Sequence, residues 1–351
     1  MPDAADIAAL PEIDPDELAW LATLDDVESR LVLTESRNGA PFYRVETGPF
    51  ADKELEALPG QDWTLLIQDA EKHLPDLRAY FDLLPFIPDW RIDDLMISVA
   101  APGGSVGPHV DNYDVFLLQT RGHREWQWTE GELRVDRGAS DQLRLVEPLT
   151  QAERRVAEAG DILYLNPGVG HHGIATDLCV TCSIGMRAPQ LSELTGRAIE
   201  GDDAFYTDAD LRVDEAEPGY ISRRAIERAA ALLARHELDD GAAERLLGLF
   251  ATTTKEWLTP EAPPGPRPDA PPFRMHGMAK LAWSDQRVFA NGREWRLPKG
   301  GHELLRDLAA TRSIGPGAFG RWLGSPSLAQ LLDELFNAAV FDFPGENLAG
   351  I

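Results

Sequence analysis

Between Asp94 and Arg187 short apolar runs alternate with Gly, Pro and Asp: "LMISVAA", "DVFLLQ", "REWQWTE", "DILYLN" and "CVTCSIGM". Short runs of this kind, broken by turn-forming residues, predict a sandwich or jelly roll of about eight strands. The flanks have a different rhythm. Residues 1–85 read as helical and mixed. In "DPDELAWLATL" Asp14 is placed to cap a helix with Pro15 in its first turn. In "DWTLLIQDAEKHLPDLRAYFDLL" Leu65, Leu66, Ala70, Leu74, Leu77, Phe81 and Leu84 recur at helical spacing. From about residue 190 to 257, "SRRAIERAAALLARHEL" and "DDGAAERLLGLFATTTKEWL" predict an antiparallel helix pair with Gly241 at the turn. Their apolar stripes suit either packing on the barrel or a dimer surface. "TPEAPPGPRPDAPPF" reads as a semi-rigid linker. Beyond it, "RVFANGREWRLP" is a hairpin turning at Asn291-Gly292. Three short helices (301–311, 316–323, 326–338) and a strand, "AVFDF", follow, an arrangement that resembles a winged helix. The expected division is a mainly β barrel with a helical N-terminal part at 1–190, a helical region at 191–258, a linker at 259–272 and a winged-helix-like domain at 273–351.

Composition narrows the class. The 351 residues suit two or three domains, and 43% hydrophobic residues suffice for packed cores. No run of about 18 uncharged apolar residues is present, so no membrane span is expected. The acidic start, "MPDAADIAALPEIDPDEL", lacks the basic-then-apolar build of a signal peptide. Two cysteines, Cys179 and Cys182, argue against a disulfide framework and for a reducing cytoplasm. The net charge of −26 repels nucleic acid and attracts cationic partners. By itself such a charge also serves solubility alone. It does argue that the last domain has a structural or interaction role and does not bind DNA.

The stretch "GPHVDNYDVF" carries the candidate chemistry. In extended chain His109 and Asp111 project from one face. Together they make two thirds of the His-His-carboxylate triad that holds non-heme Fe(II) with positions left open. Alone, such a pair is also what a loop histidine bonded to a nearby Asp looks like. The segment "GDILYLNPGVGHHGIAT" changes that balance, because a Gly-Asp turn, an apolar strand and Pro-Gly deliver the last ligand of a cupin barrel. That ligand is His171 or His172, which point in different directions. In "HREWQW", Arg124 shares a strand face with Trp126 and Trp128. A buried guanidinium needs an anion, and a chelating dicarboxylate such as 2-oxoglutarate would supply one. The alternative is a surface Arg stacked on Trp. Alternation puts Cys179, Thr181 and Ser183 on one face and Cys182 on the other, so the cysteines read as buried thiols, while Thr181 and Ser183 are candidates to line the co-substrate pocket. His73, His123, His236, His276 and His302 show no partnering pattern.

"PDWRIDDLMISVAAPGGSVGPHVDNYDVFLLQTRGHREWQW", with "GDILYLNPGVGHHG" and "SIGMRAP", resembles the bacterial ribosomal oxygenases. These are JmjC-type hydroxylases of a large-subunit ribosomal protein that depend on 2-oxoglutarate and Fe(II). The resemblance is close through the barrel and weaker beyond it. It implies a double-stranded β-helix catalytic domain, a helical dimerisation region and a C-terminal winged helix. It carries the metal ligands onto His109, Asp111 and His171, and the 2-oxoglutarate-binding arginine onto Arg124. It also implies O₂ as co-substrate, succinate and CO₂ as products, and hydroxylation at C3 of an arginine in large-subunit ribosomal protein sixteen. Related human enzymes hydroxylate histidine instead. The partners so implied are a basic ribosomal protein and a second copy of the chain. Tyr113 and Asp114, just past the motif, are candidates to cradle the substrate arginine, or else a packing residue and a turn former. Two departures stand out. The family's opening segment, an aromatic residue with a "KPL"-like run, is absent before Met1, which implies a shortened start with a less complete first layer. "HHG" stands where the bacterial members carry His-Glu-Gly, which makes His172 an alternative ligand or a rim residue. Two rival readings remain: another cupin metalloenzyme not using 2-oxoglutarate, and a non-catalytic interaction protein.

Overall fold

The computed structural model describes residues 4–196, 204–207, 218–234, 238–255, 258–261 and 266–342. The chain forms two compact units, Met1–Leu84 with Asp93–Met186, and Pro85–Ile92 with Arg187–Ile351.

The first unit opens with helices α1 (Ala4–Ala8) and α2 (Pro15–Leu21), strands β1 (Ser29–Arg37) and β2 (Ala40–Thr47), helix α3 (Asp52–Glu56), strand β3 (Trp63–Ile67), helix α4 (Ala70–His73) and a 3-10 helix over Pro75–Leu83. It continues as β4 (Ile92–Ala100), β5 (His109–Val110), β6 (Val115–Arg121), β7 (Arg124–Thr129), β8 (Val135–Asp136), β9 (Leu145–Val146), β10 (Glu153–Ala157), β11 (Ile162–Leu165), β12 (Gly170–Ala175) and β13 (Cys179–Met186). Seven strands form one sheet, ordered β11-β6-β13-β4-β3-β1-β2, and four form the other, β10-β7-β12-β5. Val32, Tyr43, Val45 and Leu66 pack with Leu145 toward one end of the interior, and Val115, Leu117, Trp126 and Leu165 toward the other. The mainly β jelly roll expected over Asp94–Arg187 is therefore present.

The expectation for residues 1–85 needs correction. Asp14 caps α2 as expected, accepting a hydrogen bond from the Asp16 amide at 3.0 Å. Leu65 and Leu66, however, belong to a strand. β3 lies between β1 and β4 and buries Thr64–Ile67, so both faces are apolar and the run carries no alternation to separate it from a helix. Leu77 and Phe81 sit on a 3-10 turn, not on the α-helix that their spacing suggests. The β1–β2 hairpin was signalled by Asn38-Gly39, both at positive φ.

Gln68, Asp69, Glu71, Lys72 and Asp94 form a buried polar cluster in this unit. Glu71 accepts from the Leu95 amide at 3.0 Å and pairs with Lys72 at 3.2 Å. Gln68 and the Asp69 amide both donate to one oxygen of Asp94. Burial, reinforced by Asp93, Asp69 and Glu71, pushes the Asp94 carboxyl up to about 7. A raised folded-state value means that the folded protein holds a proton the unfolded chain has released. The stabilisation is complete below the unfolded value and disappears as pH rises from about 4 to about 7. Asp94→Asn should remove that contribution. The wild-type minus variant stability, from urea melts across this window, should slope by up to about 1.4 kcal/mol per pH unit.

The second unit contains α5 (Leu191–Thr195), α6 (Arg223–Leu233) and α7 (Asp240–Thr252). Ala225, Ala229 and Leu233 of α6 pack against Ala243, Leu247 and Ala251 of α7. Gly241 is not at the turn. It lies inside α7, because Asp239 supplies the cap by accepting from the Ala242 amide at 2.8 Å. Then come β14 (Phe273–Arg274), β15 (Leu281–Trp283), β16 (Arg287–Ala290), β17 (Arg293–Arg296), α8 (Gly301–Thr311), β18 (Ser313–Ile314), α9 (Pro316–Trp322) and α10 (Pro326–Asn337). β16 and β17 turn at Asn291-Gly292, both at positive φ, as the dipeptide requires. Of "AVFDF", Phe341 makes a single bridge to Met275, and Phe343 lies outside the described residues, as does His236. No helix among the described residues is long and apolar enough to cross a membrane.

Candidate active site

The four-stranded sheet places the candidate metal ligands. β12 pairs with β5 on one side and β7 on the other, so His171 stands opposite His109 and also opposite Trp128. Asp111 follows β5 by one residue. Ligand atoms of His109, Asp111 and His171 all lie within 4.8 Å of one another. His109 Nε2 is 3.8 Å and His171 Nε2 is 3.6 Å from the same Asp111 oxygen. Each imidazole is held from behind. His109 Nδ1 lies 2.9 Å from the Gly107 carbonyl, and His171 Nδ1 lies 3.1 Å from that of Val169. A carbonyl only accepts, so both Nδ1 atoms carry the proton and both Nε2 lone pairs face Asp111. Burial, then the neighbouring His109, push His171 down to about 4, so its imidazole is neutral at pH 7, the form a metal requires.

His172, the alternative, faces away from this group. Its Nε2 meets Ser105 Oγ at 2.9 Å and the Tyr43 hydroxyl at 3.5 Å. The strand's two-residue period turns the two histidines to opposite faces, His171 toward Asp111 and His172 toward Ser105.

Along the same strand pair the inner positions run His171 with Trp128, Gly173 with Trp126 and Ala175 with Arg124. Arg124 is 6% exposed, with its guanidinium carbon 5.7 Å from the Trp126 ring centre. Nη1 donates to Ser98 Oγ at 3.2 Å, but buried Nε and Nη2 have no partner among the described residues. A buried cation with two idle donors fits one planar carboxylate. It is not the surface stacking pair that the sequence also allowed.

The remaining candidates surround this axis. Tyr113 is 39% exposed at its residue surface, and the burial of its phenol, with Asp111 and Asp94 nearby, raises it above the usual range. Asp114 is buried and accepts from the Tyr164 hydroxyl at 2.5 Å. Thr181 and Ser183 are buried on β13, after a register shift at Val180/Thr181. The Thr181 hydroxyl donates to Gln119 Oε1 at 2.9 Å. Cys179 packs with Ala100 and Ala175 and Cys182 is buried too, both as free thiols. His73, His123, His276 and His302 stand outside the metal-ligand group, and His123 is held by Asp177 at 2.7 Å.

A JmjC-domain model matches residues 81–194 and a ROXA-like winged-helix model matches residues 272–341. The "Ribosomal protein uL16 3-hydroxylase" of Escherichia coli (strain K12) is 32% identical over 354 residues, covering 95% of this chain and 91% of that protein. The chain belongs to the JmjC-type ribosomal oxygenases. A "Probable ribosomal oxygenase" of Haemophilus influenzae is 37% identical over 214 residues, 59% of this chain and 51% of its own. The solved structure of YcfD, a ribosomal oxygenase from Escherichia coli in complex with cobalt and 2-oxoglutarate, superposes with a TM-score of 0.71 at 30% identity, covering 96% and 92% of the two chains.

Sequence reasoning missed several residues that shape this ribosomal oxygenase's site. Ser98, which holds Arg124, shares a face of β4 with Asp94, an alternation visible in "DDLMISVA". Gly173 was passed over although it stands two residues after His171. A Cβ there would lie 2.7 Å from Trp126 Cη2, so only glycine lets the indole lie flat on β12. Gly173→Ala should displace Trp126, which lies between His171 and Arg124, and cost about 1–3 kcal/mol by urea denaturation.

Proposed function

We propose that the protein is a 2-oxoglutarate- and Fe(II)-dependent oxygenase that hydroxylates a ribosomal protein, at C3 of an arginine in uL16. One observation carries the reading: a two-histidine, one-carboxylate group and a stranded buried guanidinium line one sheet of the barrel. The donor set suits Fe(II), which three protein ligands leave open to a chelating co-substrate. Arg124, with Nη1 held by Ser98, would have Nε and Nη2 available to hold the far carboxylate of 2-oxoglutarate. When bound, the metal and 2-oxoglutarate supply the oxidising power, with O₂ consumed and succinate and CO₂ released. The chain orients them. The Gly107 and Val169 carbonyls aim both imidazoles, and Trp126 and Leu117 keep the interior dry. Thr181 and Ser183 are proposed to line the co-substrate pocket, Thr181 through its hydroxyl oxygen, since its proton is committed to Gln119. Tyr113 is proposed to meet the substrate side chain, with Asp114 in support because Tyr164 already holds its carboxylate.

The net charge of −26 supports a basic protein partner over DNA. Within residues 191–258, the helices α6 and α7, with Leu232 and Leu246 half-buried, are the proposed contact with a second copy. A ribosomal substrate supports a cytoplasmic location for the protein. The test is mass spectrometry of uL16 incubated with the full chain, Fe(II) and 2-oxoglutarate. Gain of one oxygen atom on an arginine, with succinate formed in step, is expected. Oxygen on histidine would overturn the assigned residue, and no oxygen at all would overturn the reading.

A further inference from the structure

On the back of the seven-stranded sheet, where β1 and β2 turn away from the barrel interior, lies a groove of about 700 Å³. Val32, Tyr43 and Val45 face the core, so alternation turns Leu31, Leu33, Arg44 and Glu46 outward, and the register sets Leu31 beside Glu46 and Leu33 beside Arg44. Leu31, Leu33, Phe50 and Leu58 give the groove an apolar lining. Glu35, Glu46, Glu54 and Asp62 give it four carboxylates. Arg44 is its single cation, and it is already tied to Glu35 at 2.6 Å and to Glu46. The lining therefore keeps an excess of negative charge over an apolar base, on the face opposite to the residues that gather around Asp111.

We infer that this groove is a second docking site for the ribosomal-protein substrate, taking a basic segment with an apolar side chain between its cations; the inference rests on the reading of the protein as a hydroxylase of that partner. Apolar contact with Leu31 and Leu33 gives affinity, and the carboxylates choose the partner's charge. The same excess turns away nucleic acid and a further copy of this acidic chain.

Glu35→Gln/Glu46→Gln removes two exposed carboxylates, and Leu58→Gln separately tests the apolar lining. Circular dichroism melts establish that both variants fold. For the full chain, Kd for intact uL16 without iron or 2-oxoglutarate should rise about five- to tenfold in each variant. KM for intact uL16 should rise in parallel at unchanged kcat, while KM for a short peptide carrying the modified arginine should not move. An unchanged Kd, or a peptide KM that rises with that of the intact protein, overturns the proposal. Should wild type fail to hydroxylate uL16 at all, the functional reading falls, and the Kd comparison still decides the groove.

Discussion

His171→Ala is expected to reduce uL16 hydroxylation by more than about a hundredfold and to abolish tight metal binding. The magnitude follows from the geometry. His171 is 3% exposed, its Nδ1 proton is committed to the Val169 carbonyl, and its Nε2 is 3.6 Å from Asp111, so its loss takes away one of the three donors grouped there. The informative control is His172→Ala. His172 is one residue away and equally neutral, pushed down to about 4 by burial first and by His109 and His171 next. It nevertheless points to Ser105 and Tyr43, so its loss should cost less than about tenfold, as for a supporting residue. Turnover with uL16 and metal content after dialysis, measured on both variants, check this. Equal losses would mean that the two-residue alternation of β12 does not choose the ligand.

Arg124→Met should raise KM for 2-oxoglutarate by about 30-fold or more, the cost of removing one side of a buried charged pair. The same substitution should make the protein without co-substrate more stable. Nε and Nη2 are buried without hydrogen-bond partners among the described residues, and a cation left in that state opposes folding, whereas methionine of similar length does not. Added 2-oxoglutarate should raise the Tm of wild type by mass action and leave that of the variant unmoved. Scanning calorimetry with and without 2-oxoglutarate measures both effects. A variant less stable than wild type would mean that Arg124 is paired within the protein itself.

The barrel was legible because its apolar runs are short and bounded by Gly, Pro and Asp, and the His109/Asp111 pair because a spacing of two has one meaning in extended chain. β3 was illegible because both its faces are buried and no Gly or Pro separates it from Ala70 and Leu74, which continue its apolar positions at helical spacing. The choice of His171 over His172 came from family resemblance, since the decisive fact, the pairing of β12 with β5, joins segments far apart in the chain. Arg124 was half legible. Its aromatic strand was visible in "REWQW", but Ser98 arrives from the other sheet, and the alternation of "DDLMISVA" shows its face without naming its partner. Asp239 was within reach, since Asp at a helix start is a familiar cap, and Gly241 drew attention from it.

The His171 and Ala175 levels are four residues apart on β12, about 13 Å along a strand, and hydrogen bonds to β7 lock that interval. The sheet thus works as a ruler with coarse graduations. Slipping β7 by one residue would turn Arg124 outward, and slipping it by two would overshoot by about 7 Å. On the proposed reading of Arg124, discrimination among keto acids differing by one methylene would be left to the length and tilt of that single side chain, and a longer or shorter co-substrate would call for a change at position 124 while the scaffold stays put.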